Sequence, residues 1–377
     1  MVCKFVPFPD NSGGRQRSLA IARRLASRFD LALCAFDDGE AAIAGLEAMG
    51  VEVHAVPWRS SPAALVAGVA RARTVSAGRF CHPRLLAAVR QAAGTGPLDV
   101  LFVGYPQLAP MARGVGARLR VLDFQNIESA LVASYASTRP AFLAGAMRAE
   151  ASALRRLERR ALGDFHLATV VSEVDRRRLP GPTAEVLVCP NGIEPAAALP
   201  PAAGPVAIFV ATMGWAPNVD AALWLGRSVW PRVQRRLPGA RLLIVGRDPH
   251  RDVLALAGPN IEVTGTVVDV RPYLAAARVA LAPLRAGGGT RLKVLEALLA
   301  GRPTVATTIG AEGLADLVGR GVVVADREED LAEAIVGLMA NGGRAEALGR
   351  AGHEAVTARY SWDRTLAPLL DRMQRGS

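Results

Sequence analysis

Short apolar runs alternate with longer, helix-periodic segments along the whole chain, and that alternation limits the folds open to it. In the first half, Val2–Val6, Leu31–Phe36, Val51–Val56, Asp99–Val103, Arg120–Asp123, Leu167–Val171 and Val186–Cys189 read as strands. The second half repeats the plan at Val206–Ala211, Arg241–Val245, Ile261–Val263, Val279–Ala282, Thr304–Ala306 and Val322–Ala325. Between them lie segments such as Arg17–Arg28, whose Leu19, Ala22, Leu25 and Ala26 share one helical face. Strand alternating with helix predicts an α/β chain built on parallel, doubly wound sheets. The two halves share no short-period repeat, which excludes a solenoid.

One boundary interrupts the alternation. After Val188-Cys189-Pro190-Asn191-Gly192 comes IEPAAALPPAAGP, rich in Pro and Ala and without period, before a fresh strand at Val206. Such a stretch reads as a semi-rigid linker. The chain of 377 residues is long enough for two domains. We therefore expect one Rossmann-like domain over 1–195, a second over 196–355, and a closing helix over 356–377 that packs back on the first. Two open sheets facing each other would form a cleft at their strand C-termini, where such folds bind ligands.

Composition narrows the function classes. Apolar residues make up 51% of the chain and charged residues 21%, which excludes wholesale disorder. Every apolar run is interrupted by Arg, Asp or Glu before the roughly 18 residues a membrane span needs. The first residues lack the basic-then-apolar pattern of a signal peptide. Cys3, Cys34, Cys81 and Cys189 are far apart, three of them in strand-like runs, as expected of reduced core thiols. A soluble, cytoplasmic protein is expected. The net charge is +11, and Lys4 and Lys293 are the only lysines among its 45 basic residues. The arginines are scattered, with little aromatic interleaving, which argues against nucleic acid as a partner. The densest stretch, Arg148 to Arg160, reads as a solvated helix face with Glu150 and Glu158 among its arginines. It could also rest peripherally on an anionic membrane at the inner face.

Two glycine-rich loops carry the chemistry. Pro7-Phe8-Pro9-Asp10-Asn11-Ser12-Gly13-Gly14-Arg15 follows the first strand and precedes a helix, the order that presents backbone N–H groups to a phosphate. It has neither the dinucleotide-binding spacing nor that of a P-loop, and an ordinary turn needing positive φ would look the same. The stronger signal is Ala282-Pro283-Leu284-Arg285-Ala286-Gly287-Gly288-Gly289-Thr290-Arg291-Leu292-Lys293-Val294-Leu295-Glu296-Ala297. A strand ends, three glycines let the backbone approach a ligand, and a helix is predicted from about Thr290. Lys293 and Glu296 share one face of that helix. A cation there suits phosphates, and a carboxylate suits a pair of ribose hydroxyls; a surface ion pair is the alternative.

From Phe209 to Gly313 the sequence resembles the C-terminal domain of GT-B-fold glycosyltransferases, specifically the large retaining group called family 4. The stretches that carry the resemblance are FVATMGWAPNVDAALWL, LLIVGRDP, VTGTVVDVRPYLAAARVALAPL and GGGTRLKVLEALLAGRPTVAT with IGAEGL after it. In the N-terminal half PFPDNSGGRQRSLAIARRLA, VLDFQNIESAL, VSEVDRRRL and VCPNGIEP agree, as does YSWDRTL near the end. The resemblance implies a nucleotide-diphosphate sugar as donor, no metal or other cofactor, and transfer to an acceptor that the sequence does not name. It implies that Glu296 holds the donor ribose and that Gly288, Gly289 and Thr290 meet the diphosphate, with Lys293 and Arg291 neutralising it. Gly13 and Gly14 resemble the N-terminal loop that closes on the donor, with Gly14, Gln125 and Lys293 as the catalytic set. Gly214, Gly246, Arg247 and Val267 fall where donor contacts are usual, and Arg15, Asn126 and Glu128 on the acceptor side.

Three positions depart from the family pattern. Gly288 stands where the first glutamate of the Glu-x7-Glu motif would fall, and the usual Arg and Lys pair is missing from Met213-Gly214-Trp215-Ala216-Pro217-Asn218. A subset of the family carries GxxPN and GGGTRxK instead. Gln125 replaces a histidine common in the N-terminal domain. A glutamine donates one amide hydrogen bond but cannot carry a proton near neutral pH. The reading is a metal-independent, retaining glycosyltransferase. A non-catalytic sugar-nucleotide-binding subunit and a GT-B nucleotide-sugar epimerase are its alternatives. The five histidines form no HxxxH or HxE group for zinc, and the GxSxG elbow is absent.

Overall fold

The computed structural model describes residues 1–39, 41–58, 62–136, 140–181, 185–289 and 291–376. The chain divides into two compact units, Met1–Pro190 with Leu366–Ser377, and Asn191–Thr365.

The first unit is a seven-stranded sheet: β1 (Val2–Phe5), β2 (Ala32–Asp37), β3 (Glu52–Pro57), β4 (Leu98–Val103), β5 (Ala117–Phe124), β6 (Leu167–Val170) and β7 (Glu185–Val188). The second unit is six-stranded: β8 (Val206–Val210), β9 (Arg241–Val245), β10 (Ile261–Gly265), β11 (Val279–Ala282), β12 (Thr304–Ala306) and β13 (Val322–Val324). Every pairing is parallel. Strand order is β3-β2-β1-β4-β5-β6-β7 in the first and β10-β9-β8-β11-β12-β13 in the second. In each sheet the chain winds outward one way, then returns to wind the other way. The reversal falls between β1 and β4 in one unit and between β8 and β11 in the other, and ligands bind beyond the strand ends at such points.

Both sheets are covered on both faces, and β6 and β11 are buried along their whole length. Phe209, Trp230, Leu242 and Ile244 pack on one face of the second sheet, and Ile208, Leu243, Val245 and Leu274 on the other. The four cysteines are free and buried, and burial pushes the thiols of Cys81 and Cys189 up to about 11.

The first unit is fastened by a charge pair that helical periodicity does not show. Arg17, on the helix Gly13–Ala26, is fully buried and makes a two-nitrogen contact with Asp123 of β5 at 2.7–3.2 Å. Its remaining nitrogen donates to the Cys189 carbonyl at 2.9 Å, and Thr169 of β6 donates to the same Asp123. The Arg17–Asp123 pair therefore joins the first helix, β5, β6 and the end of the first unit's main span.

Glu150 and Glu158 do not form the arginine pairs expected of a solvated face on the helix Ala141–Asp164. Glu158 is buried and accepts from the amide and hydroxyl of Ser129, at the start of the helix Glu128–Ala136, and burial pushes its carboxyl up to about 7. Glu150 accepts from the amides of Val75 and Ser76. Each carboxylate satisfies amides at the start of another helix, where unpaired N–H groups and a positive dipole end favour it. The arginines between them face solvent.

Removing one partner of a buried pair strands the other charge, so Arg17→Ala should lower the unfolding free energy by about 3–5 kcal/mol. The double change Arg17→Met with Asp123→Leu should lose less than that single change, read by urea denaturation.

Candidate functional site

In the second unit the loops after β8, β9, β10 and β11 leave the same edge of the sheet, because all the strands are parallel. They bring Gly214, Gly246, Arg247, Val267, Gly288, Gly289, Arg291, Lys293 and Glu296 to that edge; Thr290 lies outside the described residues. Gly246 has φ +151°, and a Cβ there would overlap the Ala211 carbonyl, so only glycine lets β9 turn so close to β8. Gly214 lies against Asp248, which has φ +53° and pairs with Arg247 at 3.7 Å. Val267 is partly buried and packs against the cluster that holds Ile208, Leu243, Val245 and Leu274.

The helix after the triple glycine begins at Leu292 rather than near residue 290 and runs to Leu299. Arg291, the residue before it, belongs to the loop and holds it in place. Its guanidinium donates to the carbonyls of Gly288 at 2.6 Å and Ile309 at 3.0–3.2 Å, packed against Gly287 at φ +149°. Arg285 adds a second tie, binding both carboxylate oxygens of Asp220 at 2.6 and 2.9 Å.

Lys293 sits on the first turn of that helix. Its Nζ donates to Asn218 Oδ1 at 2.9 Å and lies 4.9 Å from the centre of the Phe209 ring. Asn218 is buried on the helix Ala216–Trp224, its amide fixed by donation to the Thr212 carbonyl at 2.9 Å. The contact spans the β8/β11 reversal. Burial, and then the like charge of Arg291, push the Lys293 ammonium down to about 7; Glu296 acts against them. Lys293 and Glu296 together line a small pocket with Val210, Val270 and Leu274. The pocket offers a cation, a carboxylate and an apolar wall within one turn of helix.

In the first unit the corresponding edge gathers Gly13, Gly14, Arg15, Gln125, Asn126 and Glu128, and adds Tyr105, which sequence reasoning missed. The helix begins at Gly13, so both glycines lie in its first turn and neither takes positive φ. Gly14 has a different need: a Cβ there would overlap the Tyr105 hydroxyl. Tyr105 follows β4 with φ +152°, rare for a residue with a side chain, and donates to Gln125 Oε1 at 2.5 Å. Gln125 in turn donates to Ser18 at 3.2 Å. Arg15 is buried and ion-paired with Asp38. Lys4, one of the two lysines of the chain, belongs to the same cluster. Its Nζ lies 3.9 Å from the Tyr105 ring centre and 3.5 Å from Glu128, and burial lowers its pKa.

Because the Tyr105 hydroxyl fills the space over Gly14, Gly14→Ala and Tyr105→Phe should be non-additive. The phenylalanine should recover roughly 0.5–3 kcal/mol of the stability lost to the alanine, as a double-mutant cycle by denaturation reads.

The chain is 35% identical over 159 residues to the GDP-mannose-dependent alpha-(1-6)-phosphatidylinositol monomannoside mannosyltransferase of Mycobacterium tuberculosis, covering 37% of this chain and 41% of that protein. The match thus spans about two fifths of the relative's length. Among solved structures, the sucrose-phosphate synthase of Thermosynechococcus elongatus superposes with TM-score 0.74 at 16% identity, over 100% of this chain and 98% of its own. Anabaena HepE, in complex with UDP and glucose, gives 0.68 at 14% identity, over 99% and 98%. The two parallel-sheet units share the GT-B fold of these structures. Residues 204–341, which hold every second-unit residue singled out above, match the family Glycosyl transferases group 1.

Proposed function

We propose that this chain is a glycosyltransferase that takes its sugar from a nucleotide-diphosphate donor held by the second unit. The observation that carries the reading is the Lys293–Asn218 contact across the β8/β11 reversal, with Glu296 one turn along the same helix. It lies within the segment that matches the glycosyltransferase family. The names of the mannosyltransferase and of the HepE complex, which include GDP-mannose and UDP, support a nucleotide-linked donor.

In this reading the nucleotide lies along the carboxyl edge of the second sheet, near Gly246, Arg247 and Val267. Glu296 accepts from the ribose hydroxyls. The diphosphate meets the backbone of Gly288 and Gly289, and Lys293 neutralises it as the glycosidic bond breaks. Arg291 positions that backbone through the Gly288 and Ile309 carbonyls and adds its field. Stabilising the leaving diphosphate with preorganised charge is the main catalytic term, and these cations do the work a metal ion could do. Transfer proceeds with retention at the anomeric carbon. Gly13, Gly14 and Gln125 serve the donor sugar, and Arg15, Asn126 and Glu128 the acceptor. A glutamine where family members carry histidine favours one second reading, a subunit that binds sugar nucleotides without transferring them. Binding without transfer or hydrolysis across a donor panel would identify it.

Lys293→Ala should cut turnover by about 10²–10³, the loss typical of one transition-state charge contact, with the melting curve retained. The same residue sets a pH dependence. With its ammonium near pKa 7 in the free protein, diphosphate binding above that pH must take up a proton, so affinity should fall by up to about tenfold per pH unit above 7. Calorimetry in buffers of different ionisation heat reads the uptake, and Lys293→Met should abolish it. Glu296→Ala should weaken binding of the free nucleoside diphosphate by roughly 1.5–3 kcal/mol, the range for hydrogen bonds to a charged group. An unchanged affinity would reduce Glu296 to an ion-pair partner.

A further inference from the structure

Two apolar helical segments of the first unit remain in solvent although their composition suits a core. The helix Pro62–Ala72, PAALVAGVARA, has one charged residue in eleven, yet only Gly68 and Ala72 are buried. Val66 is 69% exposed and Leu65 is exposed beside it. The first turns of the helix Ala141–Asp164, AFLAGAM, hold no charge, and Phe142 is 77% exposed with Leu143 exposed next to it. A helix apolar all round is ordinarily buried, and contiguous exposed apolar surface marks an interaction site.

The two segments belong to one side of the unit. Helix Pro62–Ala72 packs through Gly68 and Val69 on Gly78, at the end of the short helix Val75–Gly78. The amides of Val75 and Ser76 bind Glu150, at 3.2 and 2.8 Å. Leu143 lies seven residues before Glu150, hence on the same helical stripe, two turns nearer the exposed start. Val75 itself is exposed.

The charges that these segments carry are of one sign. Residues 62–80 contain Arg71, Arg73 and Arg79, all exposed, and no Asp or Glu; residues 140–149 contain Arg148 and no Asp or Glu. Glu150, the nearest acid along the helix, is occupied by the two amides. The outward arginines of the same helix, Arg155, Arg156, Arg159 and Arg160, extend the positive field. Exposed Phe, Leu and Val beside arginines, without acids, is the chemistry of a surface that rests in the headgroup region of an anionic membrane.

We propose that residues 62–75 and 141–147 form a docking surface for an anionic lipid bilayer, with Val66, Phe142 and Leu143 entering the acyl boundary and the arginines meeting lipid phosphates. These segments belong to the first unit and Lys293 to the second, and the proposal does not depend on the activity proposed above.

Flotation of the full chain with vesicles tests it directly. The protein should float with phosphatidylcholine vesicles containing about 30% phosphatidylglycerol and at least roughly tenfold less with phosphatidylcholine alone, and high salt should release it. The double variant Val66→Asp with Phe142→Asp should lose vesicle binding by roughly tenfold or more while keeping its melting curve and nucleoside diphosphate affinity. A Phe142→Trp variant, conservative at an exposed position, should show emission quenched by brominated lipid. Equal flotation of the double variant, no flotation of the parent, equal binding to neutral vesicles, or no quenching would overturn the proposal. So would a dimer in light scattering that the double variant abolishes, since a second copy of the chain would then be the occupant.

Discussion

A parallel sheet covered by helices on both faces leaves only its ends open to solvent, and this constraint decides where the chain can do chemistry. Each strand must be followed by a crossover, so all the carboxyl ends fall on one edge and all the amino ends on the other. Where the winding reverses, the two loops leaving adjacent strands part and open a crevice. Gly14 and Tyr105 meet at the β1/β4 reversal, and Asn218 and Lys293 at the β8/β11 reversal. The same topology, folded twice from different sequences, puts a lysine beside an aromatic ring in both places: Lys4 at Tyr105 and Lys293 at Phe209.

Buried polar groups then hold these crevices to one geometry. Arg17 does so at a distance, because the helix whose first turn carries Gly13 and Gly14 is pinned by its guanidinium to β5 and to the Cys189 carbonyl. Arg291 does so locally, closing the glycine loop on the Ile309 carbonyl. Neither cation would be tolerated in these surroundings without its partners, since an unpaired buried charge is strongly destabilising. Asn218 works at smaller scale: the Thr212 carbonyl takes its amide hydrogen, which turns Oδ1 toward Lys293.

The strands were legible in the sequence because short apolar runs of three to six residues between helical segments have few other uses in such a chain. All thirteen strands among the described residues overlap a run read that way, most within a residue or two at each end. The glycine loop and the Lys293–Glu296 spacing were legible for a similar reason, being local and chemically unusual. What stayed hidden is non-local. Tyr105 looks like any residue after a strand; its importance comes from a backbone turn at φ +152° that lays its hydroxyl over a glycine some ninety positions earlier in the chain. Arg17 reads as the polar edge of an amphipathic helix until Asp123 arrives from the fifth strand. Glu150 and Glu158 read as members of a charged surface because nothing in their own helix announces the amides of Val75, Ser76 and Ser129.

Lys293 shows how placement alone changes what a side chain can do. An ammonium in water keeps its proton up to about pH 10, whereas here burial and the neighbouring Arg291 bring its pKa to about 7. Its folded pKa lies below the unfolded one, so keeping it charged works against the folded state at and below neutral pH. That penalty fades as pH rises from 7 toward 10.5 and the proton is released. The aromatic face of Phe209 and the carbonyl of Asn218 soften the penalty without supplying a full negative charge. A diphosphate does supply one. In the reaction proposed above, the energy withheld in the free protein becomes available when the donor diphosphate binds, and it increases as charge builds on the departing phosphate. A lysine already neutralised by a tight carboxylate would have no such reserve, which is why its hydrogen bond to a neutral amide matters more than a shorter ion pair would.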